Sequence, residues 1–446
     1  MARETPLPTH RARRLMKLGR LVGGLAGGMI REGANNLLSG KPLHPRELLL
    51  TPGNAKQVAD RLSEMRGAAM KVGQLLSMEA GDYLPPELTQ ILSSLRENAH
   101  SMPLGQVALV MQNAWGRGWE EAFDRFSFTP LAAASIGQVH EALTKEGQHL
   151  AIKIQYPGVR QSIDSDVDNV STLFNLLRLV PKDFDLSPLL EEAKRQLHLE
   201  ADYCVEAQQL NAYRRLLADS PEFVMPEVVA ERTTQEVLCM TYLEGMPIEQ
   251  LAGASAEVRN RVASQLAELV LRELFDWGLV QTDSNFGNFR YQAEQERIGL
   301  LDFGATRAYS RDFIERLRRL MRAARAGDLQ QIETHAAELG YLRADEAQVY
   351  RRGLSQMINT VAEPFRHQGP YDFAASDLSQ RVADIAIDLR VQQRYLHLPP
   401  TDVLFLHRKI AGTYLLCARL RAQVDVSGLV ERYLESPTRL PEGSTT

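Results

Sequence analysis

Two carboxylates and an amide in the second half of the chain have a spacing suited to magnesium-dependent phosphoryl transfer. Asp283 and Asn288 are separated by four residues in QTDSNFGNF, and Asp302 follows fourteen residues after Asn288 in LLDFG. Oxygen ligands of this kind hold Mg²⁺. Phosphoryl transfer mainly needs metal ions on the phosphates and a group that positions the nucleophile. The spacing predicts Asp283 beside the nucleophile, with Asn288 and Asp302 as metal ligands.

A lysine far upstream supplies the remaining part of such a site. Lys153 stands in AIKI, within a predicted strand, where protein kinases place the lysine that contacts the ATP phosphates. It needs a carboxylate partner, and the following segment LEADYCVEA offers Glu200, Asp202 and Glu206. We favour Glu206, and the alternative is an ordinary exposed charge. A DFG triplet alone is weak, so the prediction depends on the combination; otherwise Asp283 and Asn288 would form a capped turn.

The elements around these residues predict a mixed fold. The segment from Glu121 indicates two strands joined by a turn at Lys145 to Gly147, with a third strand at 151–154. A long helix is expected over 188–210, with Ser187 able to cap it. A hairpin signal surrounds the polar turn 293–296, and helices are expected over 256–277 and onward to about 435.

An amphipathic helix is also predicted near the amino end, over 55–77. Its apolar residues recur in steps of three and four, and Lys71 and Gln74 lie off that stripe on a common face. Both side chains can therefore point to one neighbour. Lys71 is expected to behave as a surface residue whose replacement by alanine costs little stability.

At these residues the chain resembles the UbiB/AarF family of atypical kinases. Lys71-Val72-Gly73-Gln74 is similar to the KxGQ motif of that family, AAASIGQ at 132–138 to its alanine-rich substitute for the glycine loop, and Glu200-Ala201-Asp202 to its ExD motif. The resemblance runs from about residue 50 to about residue 423. It ends in FLHRKIAGTYLLCARL, which looks like the carboxyl region of the mitochondrial coenzyme Q branch.

The resemblance implies an α+β, bilobal protein-kinase-like fold with a helical N-terminal extension carrying the KxGQ motif. It also implies ATP and Mg²⁺ as cofactors and a role in ubiquinone biosynthesis. The KxGQ helix would lie over the substrate side of the cleft, with Lys71 and Gln74 facing Glu200 and Asp202. Closure of that side favours transfer to water or to a small or lipid substrate over protein. The residues expected at the nucleotide are Ala132, Ala133, Ala134, Ser135, Gly137, Lys153, Met240 and Glu244, and those expected to regulate the site are Lys71, Gln74, Glu200 and Asp202.

Two features depart from ordinary protein kinases. Gln281 and Thr282 precede Asp283 in place of His-Arg, and no APE motif follows Asp302. Alanine in place of glycine restricts the loop backbone near the phosphates. A pseudokinase scaffold that binds nucleotide or prenyl lipid without turnover is therefore the rival hypothesis, although a scaffold has no chemical need for Lys153, Asp283, Asn288 and Asp302 together.

Composition limits the partners. With 51 basic and 56 acidic residues the net charge is −5, which gives no field that would gather nucleic acid. Three cysteines far apart argue against disulfides and zinc and favour a reducing compartment. We therefore expect a cytoplasmic protein. The family resemblance implies a prenyl-lipid or quinone-precursor ligand and peripheral contact with the inner membrane.

The amino end is basic and then glycine-rich. The apolar run 21–30 is too short for a span of about 20 residues, and it leaves three hypotheses open: a targeting segment, a membrane or homodimer contact, or a flexible lead-in. The expected divisions are a basic segment 1–50, the KxGQ extension 51–105, an N-lobe 106–245, a C-lobe 246–435 and a disordered tail 436–446. SGKP at 39–42 lacks a Walker loop's upstream glycine, and His140 and His407 are expected to be packing or surface residues.

Overall fold

The computed structural model describes residues 67–69, 71–73, 102–176, 187–391 and 399–435. The described chain forms two compact units. The first ends at Gln208 and adds Pro226–Tyr242; the second takes Gln209–Met225 and continues from Leu243. Within the predicted extension, residues 67–69 and 71–73 are helical. Gln74, the basic segment 1–50 and the tail 436–446 lie outside the described residues.

An antiparallel sheet forms the centre of the first unit. Its strands are β1 Phe123–Phe126, β2 Ala132–Ala133, β3 Gly137–Thr144, β4 His149–Gln155 and β6 Val237–Thr241. They run in the order β1-β3-β4-β6, and β2 pairs with β3. The turn that joins β3 to β4 contains Gly147 at φ 82°, a conformation that favours glycine.

The prediction of a separate third strand at 151–154 was wrong. Those residues belong to β4, the second strand of the hairpin, because the ladder with β3 continues unbroken from His149 to Gln155. The same strand pairs on its other side with β6. Lys153 therefore lies in a central strand, opposite Val139 on one side and Leu238 on the other.

The predicted helix over 188–210 is two helices. The first unit contains α1 Leu104–Trp115, α2 Val159–Leu176 and α3 Ser187–Glu200, and α4 Tyr203–Leu216 begins in it. The break falls at Asp202, whose Oδ1 accepts a hydrogen bond from the Cys204 backbone N–H at 3.1 Å. Aspartate favours this N-terminal capping position because its carboxylate satisfies a free helix N–H. Asp202 and Glu206 therefore do not share the face of one continuous helix.

The second unit contains short strands that hold the candidate metal loop. β9 Phe289–Gln292 and β10 Arg297–Leu300 form the predicted hairpin, β10 pairs with β5 Phe223–Val224, and β9 pairs with β7 Met246–Pro247. β8 Leu279–Gln281 pairs with β11 Thr306–Ala308. Asp283 and Asn288 follow β8, and Asp302 follows β10.

Helices make up most of the remainder of the second unit. α5 Ala256–Arg272 is followed by a π-helical turn at Glu273–Trp277, so the predicted helix over 256–277 changes its hydrogen-bonding pattern in its last five residues. Among the described residues, no helix is both long and apolar enough to cross a bilayer. The other elements are α6 Arg311–Ala326, α7 Leu329–Glu338, α8 Gln348–Val361, α9 Glu363–Arg366, β12 Tyr371–Asp372, α10 Leu378–Val391, α11 Thr401–Arg419, β13 Gln423–Val424 and α12 Val426–Glu435.

Candidate active site

Lys153 and Glu206 form a buried salt bridge in the first unit. Lys153 Nζ lies 2.8 Å from both carboxylate oxygens of Glu206, and both residues are buried. The ammonium group also lies 5.1 Å from the centre of the Tyr203 ring. Glu206 stands in the first turn of α4, which Asp202 caps. The predicted contact between Lys153 and Glu206 is present, so a positive charge is held at a fixed place on β4.

The alanine-rich segment contains β2 and a tight turn that leads into β3. Ala132 and Ala133 pair with Val139 and Gln138, and the Ala134 N–H donates to the Gly137 carbonyl oxygen at 2.9 Å. Ala132 and Ala133 are exposed and carry no polar side-chain atom. Any polar contact that Ala132 or Ala133 makes with a ligand must therefore come from its backbone.

Gly137 stands where two parts of the first unit approach closely. A Cβ atom there would clash with the Ile154 carbonyl oxygen and would lie 2.9 Å from Tyr203 Oη. Only glycine fits without displacing β4 or the start of α4. The backbone approach thus links the alanine-rich segment to the strand that carries Lys153.

Lys71 is buried, so the prediction that it behaves as a surface residue was wrong. The expected contact with the ExD motif is present, because the Lys71 side chain forms a salt bridge with Glu200, but the residue is only 4% exposed. The same helical segment lies against the alanine-rich loop: a Cβ atom at Gly67 would be 3.2 Å from the Ser135 carbonyl oxygen. The apolar stripe did not reveal this burial because it described one helix face only.

This burial changes the effect expected for Lys71→Ala. The substitution leaves the Glu200 carboxylate, whose side chain is 15% exposed, without its cation. We expect a loss of about 1 to 3 kcal/mol in the free energy of unfolding, measured by urea denaturation. Removing the exposed Arg125, which lies 3.4 Å from Glu141, should cost less than about 1 kcal/mol. Equal small losses in both variants would contradict the expectation.

Asp283 and Asn288 lie together in the second unit. Asn288 Nδ2 is 3.2 Å from the Asp283 carbonyl oxygen and 3.3 Å from Asp283 Oδ2. Asn285 caps the short 3₁₀ turn between them, its Oδ1 accepting from the Gly287 N–H at 3.1 Å. The other oxygen of the Asp283 carboxylate forms a salt bridge with Arg408, from α11.

Gln281 fixes the position of Asp302 relative to Asp283. Its buried side-chain Nε2 donates to the Asp283 carbonyl oxygen at 2.9 Å and to the Asp302 carbonyl oxygen at 3.1 Å. Asp302 Oδ1 accepts from the Gly304 N–H at 2.9 Å. One amide therefore bridges the two backbone segments that carry the candidate base Asp283 and the candidate metal ligand Asp302. The sequence marked Gln281 only as a departure from His-Arg.

A buried ionic cluster supports the start of this loop. Lys409 Nζ lies 2.8 Å from Glu273 Oε2, and both residues are buried. Tyr213 Oη lies 3.0 Å from Glu273 Oε1, which also accepts from the Gln281 N–H at 3.3 Å. Burial raises the pKa of Glu273, and Lys409 opposes that rise. The cluster connects the π-helical turn, β8 and α11.

Comparison with known proteins identifies the family. The model of the ABC1 atypical kinase-like domain matches residues 94–336. The chain belongs to the ABC1 family of atypical kinases. The family is also known as UbiB/AarF, so the resemblance found in the motifs is confirmed. The α+β kinase-like fold is confirmed as well.

Relatives of this ABC1 kinase match over most of their length. The chain is 36% identical to the mitochondrial atypical kinase COQ8B of Rattus norvegicus, covering 99% of this chain and 84% of that protein. It is 37% identical to the mitochondrial atypical kinase COQ8 of Saccharomyces cerevisiae, covering 96% and 85%. A solved structure of Rv3197 from Mycobacterium tuberculosis, in complex with erythromycin, shares 26% identity at a TM-score of 0.60, covering 86% and 96%.

The structure also places the other residues that the sequence analysis named, two from the nucleotide site and two histidines. Met240 is buried in β6, whereas Glu244 is exposed and its carbonyl oxygen accepts from Gln292 Nε2 at 3.0 Å. His140 is buried in the first unit, and burial lowers its pKa, whereas His407 is exposed on the second unit. His407 lies 2.6 Å from Tyr341 Oη. Both histidines have structural partners, in agreement with the sequence prediction.

Sequence reasoning missed Arg408, Lys409 and Glu273. Arg408 lies 125 positions after Asp283 in the chain and Glu273 ten positions before it, and each contributes a charge next to the loop that carries Asp283. FLHRKIAG was recognised only as part of a family resemblance. The available signal was a pair of adjacent cations in an otherwise apolar helix, since buried charges are found paired.

Proposed function

We propose that this atypical kinase binds Mg-ATP and transfers its terminal phosphoryl group to water or to a small or lipid acceptor. The salt bridge between Lys153 and Glu206 carries the proposal. Kinases of this kind need that lysine paired with a helix glutamate before the ATP phosphates can be held. Isolated strand lysines are usually solvated, whereas this one is buried and contacts both carboxylate oxygens at 2.8 Å.

Each of the candidate site residues has a role in this proposed chemistry. Lys153 would contact the non-transferred phosphates, and Asn288 and Asp302 would hold Mg²⁺, which would supply positive charge to the phosphates. Asp283 orients the acceptor oxygen and takes its proton as that oxygen bonds to the terminal phosphorus and the bond to the ADP oxygen breaks. Nucleotide contacts are assigned to backbone groups of 132–137, together with Met240 and Glu244.

Several features support a small or lipid acceptor. The KxGQ segment is anchored by Lys71 to Glu200 and lies against the loop at Ser135, and no APE motif follows Asp302. We assign Lys71, Gln74, Glu200 and Asp202 a regulatory role in restricting that side of the site. From the coenzyme Q relatives we infer a role in isoprenoid quinone (ubiquinone) biosynthesis, with a prenyl lipid or quinone precursor as ligand. We further infer a cytoplasmic location with peripheral contact to the inner membrane, and possible homodimers.

The alternative is a scaffold that binds nucleotide or prenyl lipid without turnover. The alanine-rich loop favours it, because alanine limits the backbone conformations that let N–H groups reach phosphates. The two functions differ in one observable, which is the release of phosphate from bound ATP.

Phosphate release by the purified full-length chain tests the proposal. We expect release from ATP that requires Mg²⁺, is abolished by a chelator and increases when a detergent-solubilised prenyl lipid is added. ATP binding measured by calorimetry, together with phosphate release no greater than that of Asp302→Asn, would favour the scaffold. If the chain neither binds ATP nor releases phosphate, both functions are contradicted.

The alanine-rich loop should control nucleotide affinity. Ala132→Gly, Ala133→Gly and Ala134→Gly each relax the backbone next to the phosphates, so we expect at least one to change the Kd for ATP relative to ADP by about 3-fold to 10-fold, or roughly 1 kcal/mol. Calorimetric titration with both nucleotides measures the change. Ala230→Gly is the matched control, because Ala230 is exposed in the short 3₁₀ turn Ala230–Arg232 of the same unit. Wild-type affinities in all three loop variants would place this loop away from the nucleotide.

A further inference from the structure

The loop that carries Asp283 contains no cation of its own. Residues 283–288 read DSNFGN, without lysine or arginine. The positive charge at its carboxylate comes from Arg408, which lies 125 positions further along the chain and contacts Asp283 Oδ1 through a terminal guanidinium nitrogen. A distant helix therefore supplies a charge that the loop lacks.

Both oxygens of the Asp283 carboxylate are engaged by side chains of the second unit. Oδ1 contacts Arg408, and Oδ2 lies 3.3 Å from Asn288 Nδ2, at the long end of hydrogen-bonding range. An ionised carboxylate has about four acceptor positions, so each oxygen can accept one more bond. The two contacts fix the plane of the carboxylate and leave it able to accept a proton.

Helix α11 packs closely against this loop, so the fold itself places Arg408 beside Asp283. Gly412 lies one helical turn from Arg408, and a Cβ atom there would clash with Ser284 Cβ. Ser284 Oγ donates to the Lys409 carbonyl oxygen at 3.2 Å. The Lys409 side chain is anchored on Glu273 at 2.8 Å. The side chains of Arg408 and Asp283 are 17% and 24% exposed, so solvent screens their interaction only in part.

We propose that Arg408 is a positioning residue for phosphoryl transfer, holding the Asp283 carboxylate in the orientation that receives the acceptor's proton. The inference rests on the proposed function and assigns to that site a residue outside its motifs. Arg408 stays protonated throughout, because guanidinium does not lose its proton in proteins. The acceptor's proton moves to Asp283, the acceptor oxygen bonds to phosphorus, and ADP leaves with the electrons of the broken bond.

Arginine is suited to this role in a way that lysine is not. Its planar, rigid group of donors fixes direction as well as charge, whereas an ammonium group supplies charge on a flexible stem. Substitutions at Arg408 should therefore act on turnover according to geometry. They should leave nucleotide affinity unchanged, since Lys153, Asn288 and Asp302 provide that affinity.

The test compares Arg408→Gln, Arg408→Lys and Arg307→Gln in the full-length chain. Arg307 makes the matched contact: its Nε lies 2.6 Å from Asp402 Oδ1, so it ties α11 to β11 through Asp402 instead of Asp283. We expect Arg408→Gln to lower kcat for phosphate release about 100-fold, and Arg408→Lys to recover part of that loss. Both should keep KM and the calorimetric Kd for Mg-ATP within about 2-fold of wild type. Arg307→Gln should keep the wild-type kcat.

A double variant separates positioning from folding. If Arg408 acts through Asp283, then Asp283→Asn with Arg408→Gln should turn over no more slowly than Asp283→Asn alone. An unchanged or increased kcat in Arg408→Gln, an equal loss in Arg307→Gln, or additive losses in the double variant would each overturn the inference while leaving the proposed function standing. Absence of phosphate release from the wild-type protein would instead overturn the proposed function, and this inference with it.

Discussion

Asp302→Asn should abolish magnesium-dependent binding of ATP. Asparagine keeps the Oδ1 atom that accepts from the Gly304 N–H at 2.9 Å, so the local turn should survive. It removes the negative charge that a hard cation such as Mg²⁺ requires between protein and phosphates. We expect calorimetric affinity for Mg-ATP to fall at least 100-fold, equivalent to about 2.7 kcal/mol or more.

Two comparisons make this result specific. Asp312→Asn changes an exposed carboxylate in the first turn of α6, paired with Arg316 at 2.7 Å, and should leave affinity near the wild-type value. Removing Mg²⁺ from the wild-type protein with a chelator should reproduce the loss seen in Asp302→Asn. Unchanged Mg-ATP affinity in Asp302→Asn, with Mg²⁺ present, would contradict the assignment of Asp302 as a metal ligand.

Local sequence patterns predicted the elements that carry the motifs. The hairpin β9-β10 followed from two apolar runs around a polar turn, and its existence fixes the separation between Asn288 and Asp302. The contact between Lys153 and Glu206 could be predicted because a strand lysine needs one partner and the segment LEADYCVEA offered three carboxylates. Glu206 is the one that stands in the first turn of α4.

Tertiary contacts and capping explain what the patterns missed. The periodicity over 188–210 suits one helix, but the first helix ends before Asp202, whose side chain caps the next one. Short polar side chains often interrupt a helix in this way because they hydrogen-bond to nearby backbone groups. Lys71 looked exposed because hydrophobic periodicity says nothing about a charged residue that finds a buried partner 129 positions away. Arg408 and Lys409 were invisible for the same reason.

Lys409→Met should be the most destabilising of these substitutions. It removes the cation that pairs with Glu273, a residue that is only 1% exposed. The hydrogen bonds from Tyr213 Oη and from the Gln281 N–H to Glu273 would remain. Breaking a buried ion pair from one side typically costs about 3 to 5 kcal/mol, because a buried charge is left uncompensated. Urea denaturation at pH 8 should show this loss, whereas Lys194→Met, which removes a pair with the exposed carboxylate of Asp168, should cost less than about 1 kcal/mol.

The pH dependence of the free energy of unfolding of Lys409→Met provides a second, independent test of the ionic cluster. Burial already raises the pKa of Glu273 and Lys409 opposes that rise, so without Lys409 the folded-state pKa must rise further. A carboxyl group with a raised folded-state pKa binds more protons folded than unfolded, so stability falls as pH increases from the unfolded value towards the folded one. Lys409→Met should therefore lose less stability at pH 5 than at pH 8. The double variant Glu273→Gln with Lys409→Met should recover much of the loss at pH 8, because neither charge remains buried. A loss that is equal at both pH values and persists in the double variant would show that Lys409 contributes through packing of its stem, and the ionic cluster would then have no part in holding the loop of Asp283.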